Sequence, residues 1–470
     1  MQRAVVIGAG SAGCVVASRL ADRYDVVLIE AGRPADAGAV GDAHDAVAHP
    51  QTWALPGQLT ADRRWTAMPG RVVGGSSVVN GGYFVAPGES DLRDWHEAGG
   101  DAWEPSRVAA QLDEITTRWG VPLAPQTHPI AVAFAAAAEA SGLDRGLLAL
   151  RTTVADGVPR NIADELTPRG SLTVRSNCRV LRIEVEDGRA VAVDIADAEG
   201  ERELITADEI VVCAGGFGTP RLLLASGIGP ADQLRAAGVH PVADLPGVGT
   251  AFSDHPTVWV EWMPTPEFAA TSARPEDAYG AFPVALQLSA DGGPGEDLEI
   301  LACTQPPDLE ARAETRDSPF GVIVGLQRPR TRGTVAVASA RLLAAPRIDY
   351  HYLEDARDRA ALRTGVRAAA GMLRSAPFAG LVAGLVDLDD LTLRDDDLLD
   401  GWIRERLGSA AHTCGSAPMG VDDLAVVDGA GRVRGIAGLR VADASVLPRV
   451  PSRAPAAAAM LVGAIVADQM

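Results

Sequence analysis

Residues 3–32 read RAVVIGAGSAGCVVASRLADRYDVVLIEAG. Residues 4–7 make a short apolar strand. Gly8, Gly10 and Gly13 follow at G-x-G-x-x-G spacing, residues 15–20 continue as one face of a helix, and DVVLIEAG is a second strand ending at Glu30. A strand–turn–helix–strand unit of about thirty residues is the dinucleotide-binding fingerprint. Gly8 permits the tight turn, Gly10 lets the backbone approach a pyrophosphate, and Gly13 lets helix and strand pack closely. The helix N-terminus supplies N–H donors and the positive end of its dipole to phosphates. Glu30 stands where a carboxylate takes the ribose hydroxyls. The competing reading is a glycine turn that serves packing alone, and the two strands and the terminal acid weigh against it. The turn by itself does not distinguish a nicotinamide from a flavin.

The rest of the chain bounds the answer. Its 470 residues exceed one compact core and imply two or three lobes. Hydrophobic residues make up 47% and charged residues 22%, which is ordinary for a globular protein. The net charge of −20 argues against nucleic acid, whose phosphates need clustered cations. All 42 basic residues are arginine. Cys14, Cys178, Cys213, Cys303 and Cys414 show neither metal-ligand spacing nor a disulfide framework, so a reducing compartment and no metal are expected. The strand begins within two residues of Met1, which leaves no room for a signal peptide. The apolar run 456–467 is too short to span a bilayer. A cytoplasmic protein follows, with any membrane contact peripheral.

Four further motifs come in order. RVVGGSSVVNGGYFVAPGESDLRDWHEAGGDAW (71–103) carries Gly74 and Gly75, close-approach backbone, with Ser76, Ser77 and Asn80 as small donors. EIVVCAGGFGTPRLLLASGIGP (209–230) reads as strand, glycine turn and a helix over 220–226. LPGVGTAFSDHP (245–256) and HTCGSAPMG (412–420) complete the set. Together with the opening turn, these motifs resemble the glucose–methanol–choline (GMC) oxidoreductase family over nearly the whole chain. The middle, about 256–407, matches mainly at GLQRPRTRGTVAVASARLLAAPRIDYHYL (325–353). The elements VNGGYF, QRPRTRG and VPSRAP are most similar to the mycofactocin-associated branch, whose members are thought to oxidise mycofactocinol and pass electrons toward respiration.

The resemblance implies an α/β (α+β overall) fold, with a Rossmann-like FAD-binding domain and a β-sheet substrate-binding domain. The first would be discontinuous (1–94, 171–256 and 412–470), the second would take 257–407, and 95–170 would be a helical and loop connection. It implies bound FAD. Gly8, Gly10, Ser11, Ala12, Gly13, Glu30 and Ala31 would hold the ADP half, with Val180 of NCRVLRIEVEDG meeting adenine through its backbone. Gly74, Gly75, Ser76, Asn80 and Gly81 would line the diphosphate and isoalloxazine. Ala214, Gly215, Asp443 and Ala444 would complete the cradle, although Asp443 can also be read as a turn or helix cap. Some relatives attach flavin through a histidine at the position of Val79, so FAD is expected to be non-covalent here. The implied reaction is oxidation of a small-molecule alcohol, with reduced mycofactocin as the donor the branch implies, by proton abstraction and hydride transfer to flavin N5.

A base for that proton needs a pKa near working pH, which favours histidine. His412, in H-x-x-G-S, matches the family's catalytic histidine, whereas His255 of SDHP reads as structural. The final stretch, SVLPRVPSRAPAAAAMLVGAIVADQM (445–470), has no polar side chain between Ala456 and Ala459. In the family a second polar residue, His or Asn, comes from this segment; counting without gaps puts it at Ala456. Three outcomes are open. Ser452 or Arg453 reaches the site, His412 acts alone, or the chemistry differs. Arg453 could hold an alkoxide or an acidic substrate, or merely form a surface ion pair. Cys414 reads as a small buried residue, residues 289–299 (SADGGPGEDLE) as a surface loop, and 387–402 (DLDDLTLRDDDLLDGW) as a solvated helix entry.

Overall fold

The computed structural model describes residues 1–34, 51–119, 121–155, 158–166, 170–271, 282–304, 319–341 and 344–470. The opening strand, Arg3–Ile7, lies at the centre of a five-stranded sheet. It pairs in parallel with Asp25–Ile29 on one side and Glu209–Val212 on the other. Ser171–Arg175 and Leu439–Val441 add parallel edges. Both faces are covered, which is why these strands read as unbroken apolar runs; Val5, Val6, Ile210 and Val212 are fully buried. The strand order reverses beside Arg3–Ile7, and the crevice at such a switch point is where this architecture binds ligands. GLRVADASVLP (438–448) thus supplies the last strand.

The terminal helix, Ala456–Asp468, packs on the dinucleotide helix Ser11–Leu20. A Cβ placed on Gly463 would stand 2.6 Å from the carbonyl oxygen of Ala12. Small residues in this stretch permit that close approach, and Ala457, Ala458 and Ala464 are buried. A polar side chain at 457 or 458 would be desolvated there.

The second layer is an antiparallel sheet in the order Val382–Leu385, Pro256–Pro264, Phe320–Leu326, Leu298–Ala302, Val284–Leu288 and Leu147–Ala149, with Leu407–Ser409 also on Pro256–Pro264. One face carries Leu286, Leu298, Ile300, Val322 and Val324 and is covered by Pro129–Ala140 and Ala356–Leu373. The segment 95–170, expected to connect the lobes, contributes to both layers. Helix Pro105–Trp119 packs on the terminal helix, while Pro129–Ala140 and Leu147–Ala149 join the second sheet. Likewise Leu55–Thr60, from the opening segment, pairs with Arg347–Asp349.

Two local expectations change. The helix expected over 220–226 runs Gly215–Ala225 with Pro220 inside it. Proline has no N–H to offer the Gly216 carbonyl, and Ser416 Oγ donates to that oxygen instead at 2.6 Å. Residues 289–299 are not surface loop throughout, because Leu298 and Glu299 lie buried in Leu298–Ala302. Asp443, by contrast, takes the cap alternative of its reading: it is buried, accepts from Ser445 N at 2.8 Å, and also accepts from Gly215 N at 2.8 Å and Thr219 Oγ1 at 2.6 Å in helix Gly215–Ala225. The acidic stretch 387–402 behaves as read: Asp389 and Asp395 cap the helices Asp390–Arg394 and Asp396–Arg406.

Candidate active site

The glycine clusters converge on one groove. A Cβ on Gly8 would stand 2.5 Å from the Cys213 carbonyl oxygen, beside Ala214, and one on Gly13 only 1.9 Å from the Gly8 carbonyl oxygen. The second cluster closes onto the turn: Gly74 N donates to Ala9 O at 2.7 Å, and a Cβ on Gly75 would stand 2.6 Å from Gly10 Cα. Gly10 itself faces open space, since a Cβ there would meet nothing nearer than Gly75 Cα at 3.9 Å. No side chain caps the helix that starts at Ser11, so its first N–H groups are left for a ligand.

Glu30 is buried with both oxygens on this backbone. Oε2 accepts from Ala9 N at 2.9 Å and Oε1 from Gly32 N at 2.7 Å. Burial raises its pKa, and those N–H groups and Arg71 oppose the rise. Each oxygen keeps a second lone pair for a ribose hydroxyl. Cys178 N donates to Glu30 O at 2.9 Å, which brings Val180 and Ala31 to the same end. Ala444 reaches the other end, where its carbonyl accepts from Gly415 N at 3.3 Å. Ser76 Oγ is taken by Gly70 N, and Asn80 Oδ1 by Gly82 N, which fixes that loop. The open face before Gly10 and the uncapped helix fit the pyrophosphate of a dinucleotide.

His412 is joined to His255. Residues 253 and 414 form an antiparallel bridge, which lays SDHP alongside HTC. The two imidazoles meet edge to face, with Nδ1 to Nδ1 at 2.9 Å. His255 Nε2 lies 2.8 Å from the carbonyl oxygen of Pro451. A carbonyl only accepts, so Nε2 of His255 carries the proton. Burial pushes the His255 pKa down to about 4, so the ring is neutral and its Nδ1 is a lone pair. His412 must then donate from Nδ1. Burial, and next the neighbouring His255, hold its pKa well below the usual value, so His412 is also neutral and its Nε2 is the free base. His255 is thus a positioning residue, a role its structural reading did not include.

Asp254 holds both histidines by the backbone. Its Oδ1 accepts from His255 N at 2.7 Å and His412 N at 2.9 Å, and its Oδ2 from Thr413 Oγ1 at 2.6 Å. Burial lifts its pKa to about 6, against those hydrogen bonds. Ala411 precedes His412 in the left-handed region, at φ 58, a conformation that costs an alanine about 1 kcal/mol. Strained backbone beside a reactive group marks a position fixed by its surroundings.

The two substitutes for a second polar residue are engaged elsewhere. Ser452 is fully buried; its N–H and hydroxyl both go to Asp91, with Oγ at 2.8 Å from Oδ2. Its expected catalytic place is therefore corrected to an anchor. Arg453 donates to Gln287 Oε1 and Ala86 O and forms a partly exposed ion pair with Glu296 at 4.0 Å, the second of its two readings. Ala456 opens the terminal helix. Cys414 is fully buried with its pKa pushed up by burial, as a packing residue should be. Among the described residues no cluster of His, Cys, Asp and Glu could hold a metal, and no helix is long and apolar enough to cross a membrane.

A parallel sheet with a dinucleotide groove at its switch point, facing a second lobe across a neutral histidine base, defines a nucleotide-dependent oxidoreductase. The particular family follows from sequence. The GMC oxidoreductase models match residues 2–257 and 329–463, so the chain belongs to that family and is an FAD-dependent oxidoreductase of CH–OH donors. It is 34% identical to an uncharacterised GMC-type oxidoreductase of Rhodococcus erythropolis, over 97% of this chain and 96% of that one. It is 30% identical to an oxygen-dependent choline dehydrogenase of Rhizobium johnstonii, over 95% and 91%. Among solved structures, pyridoxine 4-oxidase from Mesorbium loti superimposes with a TM-score of 0.88 at 25% identity, over 100% and 99%. Formate oxidase shares the fold, with a TM-score of 0.89 at 23% identity over 99% and 98%. These matches establish the family and do not single out its mycofactocin-associated branch.

Proposed function

We propose that this protein oxidises a small alcohol, with His412 Nε2 as the base that takes the hydroxyl proton. The observation that carries the reading is the His412–His255–Pro451 chain, in which a carbonyl acceptor at one end dictates a lone pair at the other. When bound, FAD accepts the electron pair of the alcohol C–H bond. The chain's own part is to cradle the dinucleotide with Gly8–Gly13, Gly74–Gly75, Glu30, Ala214–Gly215 and Ala444, and to keep His412 neutral by burial. Proton transfer to a positioned base contributes on the order of a hundred- to ten-thousand-fold.

Val79 offers no nucleophile to the flavin, which supports non-covalent FAD; yellow colour that stays with acid-precipitated protein would contradict this. The finer assignment, mycofactocinol as donor, rests on VNGGYF, QRPRTRG and VPSRAP alone. An anaerobic panel tests both levels by flavin bleaching. Bleaching by reduced mycofactocin supports that donor, and bleaching by simple alcohols only supports another alcohol. No bleaching by any member would sink the oxidation reading.

A further inference from the structure

Glu299 lies on the strand Leu298–Ala302, in register with Gln287 and Gly325 on the two neighbouring strands. Its neighbour Leu298 points to the helix-covered face, where a Cβ on Gly365 would stand 3.4 Å from it. Glu299 faces the opposite way, toward the flavin lobe. Tyr83, three residues beyond Asn80, gives its hydroxyl to Glu299 Oε1 at 3.4 Å. Gln287, on the same face, accepts from Arg453 Nε and donates to the carbonyl of Ser452, both at 3.3 Å. The residue before Ser452 is Pro451, whose carbonyl holds His255 and through it His412. Glu299 is thus built into the wall between the loop after the second glycine cluster and the turn that carries the base.

Glu299 is 3% exposed, and its Oε2 has no hydrogen-bond partner. A second acceptor nearby is in the same condition. Gln327 is 4% exposed with a bare Oε1, and its amide nitrogen packs against Gly325, opposite Glu299. An unsatisfied buried acceptor is costly, and a charged one more so. Gln287 and the Tyr83 hydroxyl both donate toward the Glu299 carboxylate, but Oε2 and Gln327 Oε1 keep no partner among the described residues, with Arg453 engaged by Gln287 and Ala86. Burial lifts the Glu299 carboxyl to about 7, while Arg453, the Tyr83 hydroxyl and the Gln287 amide favour its ionised form.

We propose that Glu299 is the specificity group of the site: its bare Oε2 selects alcohols that carry a second hydrogen-bond donor, a hydroxyl or a protonated amine, over alcohols that lack one. This rests on the alcohol-oxidation reading of His412. A quaternary ammonium has no N–H, so it offers the oxygen charge without a hydrogen bond, and an alcohol of that type separates the two contributions. Sites built to hydrogen-bond a substrate group reject the analogue lacking it strongly, because their own polar atoms are then orphaned.

The test uses the FAD-loaded enzyme and matched pairs: 1-propanol against 1,3-propanediol and 3-amino-1-propanol, and benzyl alcohol against 1,4-benzenedimethanol, with choline as the cation without N–H. Anaerobic flavin bleaching gives kred/Kd. The donor-bearing member should win by roughly tenfold or more, and Glu299→Gln, nearly the same shape, should bring the ratio close to one. Equal rates within each pair in the wild type, or a preference that survives in Glu299→Gln, overturns the proposal. If no alcohol bleaches the flavin, the oxidation reading fails, and binding to the oxidised holoenzyme decides the point about Glu299. Diol binding, read from the flavin absorbance and weakened about tenfold by Glu299→Gln, supports it. Binding that is absent or unchanged overturns it.

Discussion

Replacing His255 by phenylalanine should cripple the base without touching it. The ring keeps its place in the packing, but His412 Nδ1 loses the acceptor it meets at 2.9 Å and Pro451 O its donor at 2.8 Å. A buried N–H left without a partner costs about 1–3 kcal/mol. His412 avoids that cost by moving the proton to Nε2, the position that must be empty to accept the alcohol's proton. At 1.36 kcal/mol per factor of ten, the competent tautomer falls by roughly 5- to 150-fold. Stopped-flow flavin reduction should therefore show kred lower by that factor, with substrate Kd within about threefold. Because burial holds the His255 pKa down to about 4, the loss should be equal at pH of about 6 and about 9. His255→Asn, which keeps an acceptor near the lost Nδ1, should recover much of the rate. A wild-type kred in His255→Phe, or a loss confined to Kd, would refute the tautomer argument.

The remaining expectations are structural. Gly10→Ala adds a Cβ 3.9 Å from the nearest protein atom, so the apoprotein should melt as the wild type does while FAD titration shows affinity lower by about tenfold or more. Gly13→Ala, with its Cβ 1.9 Å from a carbonyl oxygen, should instead yield little folded protein in a circular-dichroism melt. Gly463→Ala pushes against Ala12 O at 2.6 Å and should lower urea-unfolding stability by about 1–3 kcal/mol. Glu299 binds a proton more tightly folded than unfolded, since its pKa rises from 4.5 to about 7. Its contribution is thus fully present below pH 4.5 and is lost as pH rises through 7. Relative to wild type, Glu299→Gln should gain roughly 3 kcal/mol between pH of about 4 and about 8, measured by denaturation. No relative gain would mean that Glu299 is not buried as a poorly solvated acid.

Periodicity and glycine spacing made the flavin lobe legible. RAVVIGAG and DVVLIEAG read as strands because both faces are buried, and with them and Glu30 the GxGxxG turn reads as a dinucleotide site rather than a packing turn. His412 was legible from its motif, and the alanines at 456–459 only once the helix under them was known. The lost parts depend on contacts across long sequence separations. Nothing near Ser452 announces Asp91, 361 residues away, so a buried anchor passed for a free hydroxyl. His255 reads as structural because its partner lies 157 residues on. Glu299 sits at the end of SADGGPGEDLE, whose glycines and acids signal a loop, while the strand that buries it begins only one residue earlier. Pro220 marked a helix start, but Ser416 supplies what proline withholds, and the helix continues through it.

Whether His412 Nε2 takes the alcohol proton beside a bound flavin is decided by anaerobic stopped-flow reduction of FAD-loaded His412→Ala with the best alcohol of the panel. The rate should fall by roughly a hundred- to ten-thousand-fold with the flavin still bound. Reduction at the wild-type rate would contradict that role.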